Sequence, residues 1–104
     1  MEKFTSPLKK WPGSFELPDY DDFTGADWDV YRKAFEAAPD NTLNRRMCYV
    51  GLVMIEKFGK WQLDIPLKDV QAWKDKPAEE KIRLVSWIGQ SISRYIDELI
   101  DPKG

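Results

Sequence analysis

From Glu79 to Ile100 the chain carries its longest uninterrupted helical pattern, and any fold it adopts has to bury that segment's apolar face. Leu84, Ile88, Ile92, Tyr95 and Leu99 recur at spacings of three and four, and Val85, Trp87 and Ile96 widen the stripe beyond a two-helix seam. Pro77 followed by Glu79 and Glu80 is a start signature, with the proline near the first helical position and carboxylates in the first turn. Pro102 closes the pattern. The segment is expected to form the spine of a small core. Its last turn sets Tyr95, Leu99 and Ile100 among Asp97, Glu98 and Asp101, whose charges oppose the helix dipole, so this end either frays or meets a basic partner.

Two further helices supply cover for the spine. Gly25 to Ala37 follows an acidic run in which Asp22 or Thr24 is the cap, with Asp27 and Asp29 in the first turn and Trp28, Tyr31 and Phe35 on one face. Pro39 ends it. Leu43 to Phe58, capped by Asn41 or Thr42, carries Leu43, Met47, Val50, Met54 and Phe58 on a stripe broadened by Leu52 and Ile55. Gly51 in its middle costs about 1 kcal/mol relative to alanine, which marks a close approach of another backbone, expected near Gly89. Arg45 and Arg46 lie near its start, where they oppose the dipole, and read as a solvated patch or a docking contact for an acidic partner.

The remainder is extended or irregular. Residues 1–12, broken by Pro7 and Pro12, read as an extended N-terminal arm, and 13–104 as a single helical domain. Gly13 to Pro18 and Trp61 to Pro66 each alternate apolar and polar residues up to a proline, so they read as two short strands that pair under the helices. Val70 and Trp73 fall in a polar connection long enough for one helical turn. The fold class expected is mainly α: a small three-helix domain with a minor two-segment β element.

Composition removes most chemistry. The 104 residues contain no histidine, which excludes imidazole acid–base catalysis, Ser-His and Cys-His nucleophiles and His-ligated metals. The single cysteine, Cys48, lies in an apolar run and reads as a buried filler in a reducing compartment. Asp19, Asp21 and Asp22 lack the ligand register, central glycine and closing glutamate of a calcium loop. The glycines form neither a phosphate-binding loop nor a dinucleotide fingerprint. No catalytic residue, metal or cofactor is therefore expected. A net charge of −2 gives no overall electrostatic case for nucleic acid or an anionic membrane. No apolar signal-peptide core is apparent, and the longest apolar run, Cys48 to Ile55, is too short to span a bilayer. The expected location is host cytoplasm.

What remains is protein binding. Of the five tryptophans, Trp28 and Trp87 lie on helical stripes and are expected in the core. Trp11, Trp61 and Trp73 lie in extended or irregular segments, where an aromatic is more often an interface anchor. With Arg45, Arg46, Tyr95 and Leu99 they are the candidate partner-binding residues.

The order of features resembles small tail-assembly-chaperone-like proteins of long-tailed bacteriophages. The likeness rests on the opening Pro12, Gly13, Phe15, Leu17, Pro18, Asp19, on Trp61-Gln62-Leu63 after an apolar helix, and on Val85-Ser86-Trp87-Ile88 in the last helix. It runs from about Trp11 to Ile100. The resemblance implies a non-enzymatic helical protein, expressed with tail genes, that binds the tape-measure protein or tail-tube subunits and assists tube polymerisation. It carries over no catalytic residues. The alternatives are a structural virion accessory protein of the head-tail or tail region, and a small nucleic-acid-binding regulator using Arg45, Arg46 and the lysines of the arm. Homo-oligomerisation stays open.

Overall fold

The computed structural model describes residues 1–39, 42–72 and 81–101. Strands β1 (Glu2–Thr5) and β2 (Gly13–Leu17) are followed by a 3-10 turn at Tyr20–Asp22, helices α1 (Gly25–Ala37) and α2 (Leu43–Phe58), strand β3 (Lys60–Leu63), the five-residue α3 (Leu67–Gln71) and α4 (Ile82–Ile100). The fold is mainly α with a minor antiparallel sheet of order β1-β2-β3. Trp73, Pro77, Glu79 and Glu80 lie outside the described residues, as does Asn41.

The sheet contains the two expected strands in register, Phe15 opposite Trp61 and Gly13 opposite Leu63. It also contains a third strand: the arm folds back so that Phe4 lies opposite Phe15 and Glu2 opposite Leu17. Glu2-Lys3-Phe4-Thr5 has one apolar residue and no readable alternation, so this strand is held by its backbone ladder and by Phe4 stacking on Phe15 at 4.9 Å. Gly13 adopts φ +117°, a conformation that side chains rarely take, and a Cβ there would run into the backbone of Gln62. It is the point at which the arm turns into β2.

Packing explains the tryptophans, and it inverts two expectations. Trp11 is only 8% exposed and joins Leu8 in the core, so it is not a free anchor. The turn after β1 places it there: Leu8 N–H donates to Ser6 Oγ at 3.1 Å and Trp11 N–H to the Leu8 carbonyl at 3.2 Å. Trp28, expected inside, is 36% exposed. Trp87 is half-buried with its ring edge-on to Phe15 at 5.4 Å. α2 is the central element, packing against α1, α4 and the sheet, whereas α1 contributes only Ala34 to the fully buried set.

α2 and α4 cross where their glycines lie, but not glycine against glycine. A Cβ on Gly51 would meet the side chain of Ile92, and a Cβ on Gly89 would meet the backbone of Asn44. The backbone approach expected at Gly51 therefore falls at Gly89. Both substitutions need a shift, since Ile92 is β-branched and buried, but a side chain gives way more readily than a helix backbone, so the two separate in degree. Gly89→Ala is expected to destabilise by about 1 to 3 kcal/mol despite alanine's better helix propensity, with Gly51→Ala costing less. Urea midpoints of the two variants check the order.

Tyr95 ties α4 to the start of the chain. It is buried, its hydroxyl donates to the Pro18 carbonyl at 2.7 Å, and its ring meets those of Phe4, Tyr20 and Phe23 at 6.2, 5.2 and 5.9 Å. Burial, then the neighbouring Tyr20 and the carboxylates of Asp27, Glu2 and Asp19, push its phenol up. The fold thus holds the neutral form. Stability carried by this group is intact below the unfolded tyrosine pKa of about 10 and is lost as pH rises above it. Tyr95→Phe is expected to cost about 1 kcal/mol at neutral pH and to flatten the alkaline decline, read as urea midpoints between pH 8 and 11.

Candidate protein-interaction surface

α1 starts with a capping box: the Thr24 hydroxyl accepts from Asp27 N–H, and the Asp27 carboxylate accepts from Thr24 N–H, each at 3.1 Å. Of the two candidate caps, Thr24 therefore serves. The other end is pinned by Arg46, whose guanidinium donates to the Phe35 carbonyl at 2.6 Å and lies 4.9 Å over the Phe35 ring. That carbonyl belongs to the last turn of α1, which lacks intrahelical partners and favours a cation. Arg46 is poorly placed for its own helix and well placed for its neighbour. It locks α1 onto α2 and is part-buried in doing so, as is Arg45.

Between those two pins runs an aromatic row. Trp28 and Tyr31 are 5.0 Å apart, and Tyr31 and Phe35 are 6.0 Å apart. α1 packs mainly against α2, and this row is only half-buried. Partial burial, then the Asp97 carboxylate of α4, pushes the Tyr31 phenol up.

At that end lie two adjoining hollows of about 430 Å³ each, one lined by Glu2, Asp19, Tyr20, Asp21, Glu98 and Leu99, the other by Tyr20, Arg94, Asp97 and Glu98. Tyr20 and Leu99 supply an apolar floor and the carboxylates a rim. Partial burial, then Glu2 and Glu98, pushes the Tyr20 phenol up. Asp19 forms an ion pair with the Met1 ammonium at 2.9 Å, but among the described residues neither Asp97 nor Glu98 has an ion pair. Ile100, the last residue of α4, is 64% exposed.

The sequence-derived candidates thus divide. Leu99 lines the shelf. Tyr95 is buried beneath it as a structural hub and is not itself a contact surface. Trp61 is half-buried elsewhere, its indole N–H donating to the Ile65 carbonyl at 2.6 Å and its ring 6.3 Å from Phe15. Trp11 and Arg46 serve the fold as described, Arg45 is part-buried beside Arg46, and Trp73 lies outside the described residues. Tyr20, Tyr31 and Trp28 were not among the candidates. The signal for Tyr20 was an aromatic inside an acidic run, read only as helix capping and as a rejected calcium loop.

Catalytic and metal chemistry finds little material here. Among the described residues no group of three or more Cys, Asp or Glu is arranged to hold a metal ion, and no helix is long and apolar enough to cross a membrane. Cys48 is buried, and that burial pushes its thiol up to about 12. Comparison with known proteins finds no match: no family model, curated protein or solved structure is similar enough to count as a relative.

Since the thiolate is the reactive form, Cys48 in the folded protein is expected to resist a disulfide reagent at pH 8. In 6 M guanidinium, an ordinary unfolding concentration, it should react at the rate of a free thiol. Rapid labelling of the native protein would show that Cys48 is accessible.

Proposed function

We propose that this protein works by binding another protein, as a tail-assembly-chaperone-like factor of a long-tailed bacteriophage that engages the tape-measure protein or tail-tube subunits in the host cytoplasm. The observation that carries the protein-binding part is the half-buried aromatic row Trp28, Tyr31, Phe35, together with the shelf floored by Tyr20 and Leu99 and the exposed Ile100. Each large apolar side chain left in water forgoes part of the roughly 1.5 to 3 kcal/mol that full burial contributes. A small domain with one core has little reason to hold tryptophan and tyrosine at its periphery unless something else covers them. The phage assignment rests on the sequence resemblance from Trp11 to Ile100.

Catalysis has no part in this reading. The chain has no imidazole, and its one thiol is buried. The nucleic-acid alternative loses its main motivation, because Arg46 is committed to the Phe35 carbonyl and ring.

The test is co-expression with the tape-measure and tail-tube proteins encoded alongside it, followed by pull-down. A complex with either is the expected result, and association with neither would count against the reading. Trp28→Ala combined with Ile100→Ser should abolish capture while leaving the protein folded, at a cost of about 1 to 3 kcal/mol because the Trp28 ring is partly covered against Tyr31. Mass spectrometry of purified particles should not find the protein; finding it there would favour a structural virion component.

A further inference from the structure

The protein-binding reading leaves open what kind of segment the surface accepts, and the charges around the aromatic shelf bear on that. Five carboxylates and one guanidinium line the two hollows, and the Met1 ammonium pairs with Asp19, so this end is net negative even with that ammonium counted. The asymmetry is local, on a surface whose floor is apolar. Asp97 and Glu98 also sit in the last turn of α4, where the unsatisfied carbonyls already concentrate negative charge. Among the described residues no basic residue occupies that last turn and no ion pair relieves either carboxylate. Folding alone would favour a lysine or arginine here. Among the described residues the carboxylates thus oppose the dipole beside a partly uncovered apolar surface, and one kind of visitor corrects both.

We infer that the shelf floored by Tyr20 and Leu99 and rimmed by Asp97, Glu98 and Asp21 docks a basic amphipathic segment of the partner protein. Its apolar side chains lie on the aromatic floor and its lysines or arginines reach the α4 carboxylates. The inference rests on the protein-binding reading and adds the chemistry of the bound segment. The cation does two things at once: it pairs with the carboxylates and it supplies the positive charge that the helix C-terminus lacks. Burial of Leu99, Ile100 and the Tyr20 ring provides the area, and charge provides choice among apolar partners.

The test uses the full chain, isotope-labelled, and a pair of synthetic 20-residue amphipathic helices, one of leucine and lysine and one of leucine and glutamate. The leucine–lysine peptide should shift the amide resonances of residues 94–101 together with that of Tyr20, with an affinity that falls as salt rises. The leucine–glutamate peptide should not bind. Asp97→Asn combined with Glu98→Gln should weaken binding at least tenfold while raising the melting temperature of the free protein, since neutralising these groups relieves the dipole clash. Weaker binding together with a higher melting temperature distinguishes docking from a structural role or a folding defect. Equal binding of both peptides, unchanged binding by the double variant, shifts mapping elsewhere, or self-association through this face in sedimentation would each overturn the inference. If the natural partner is captured equally well by the double variant, the basic-segment inference fails and the protein-binding reading stands. If the leucine–lysine peptide docks here but no tail protein is captured, the phage assignment fails instead.

Discussion

The bond from the Tyr95 hydroxyl to the Pro18 carbonyl joins positions 77 residues apart, and most of the structure is arranged around the ring that carries it. A buried tyrosine brings apolar area together with a polar tip that must find a partner. The partner is a proline carbonyl just past β2, in the segment that leads to the Tyr20–Asp22 turn. Phe4 of β1, Tyr20 of the turn and Phe23 before α1 all meet the same ring, and Phe23 goes on to meet Phe58 at the end of α2 at 5.8 Å. One side chain therefore fixes the sheet, the turn and the last helix to one another. The position of the acidic shelf directly above it follows from that, since Asp19, Tyr20 and Leu99 are held by the elements that Tyr95 joins.

The helices were legible because their signal is periodic and redundant. α1 and α2 fall at the bounds that capping residues and stripes suggest, and α4 ends at Ile100 as expected. Burial was less legible because period alone says which residues share a face and nothing of how completely a neighbour covers it. Trp28 and Trp87 occupy correct stripe positions, yet Trp28 is left exposed on α1 and Trp87 is only half-buried, edge-on to Phe15 of the central strand. Trp11 had no periodic context and is buried all the same, because the hairpin between β1 and β2 folds its loop inward. β1 itself was invisible in the sequence: a strand whose stability comes from backbone pairing and one phenylalanine leaves almost no pattern to read.

Arg46 shows the same limit from the electrostatic side. Judged by its own helix it stands at the wrong end, and that mismatch invited a functional explanation. In three dimensions it caps the end of the preceding helix, 11 positions earlier, and stacks on Phe35. A charge unfavourable for one dipole is favourable for another that sequence spacing does not reveal. Local rules identify a residue that needs an explanation, and only the fold decides whether the explanation is structural.

The acidic end of α4 poses the same question, and among the described residues the fold does not answer it structurally. Asp97 and Glu98 oppose their own dipole as Arg45 and Arg46 oppose theirs, and among the described residues no ion pair offsets them. The difference matters for how an apolar shelf survives on a small protein. An uncovered surface of tyrosine, leucine and isoleucine invites face-to-face pairing of two copies, and a carboxylate rim opposes that pairing because like charges meet across the two-fold contact. The same rim attracts a basic chain. An acidic border thus discourages the wrong occupant and favours the proposed one, which is the property required of a protein that must hold a partner's apolar segment without aggregating while it waits for it.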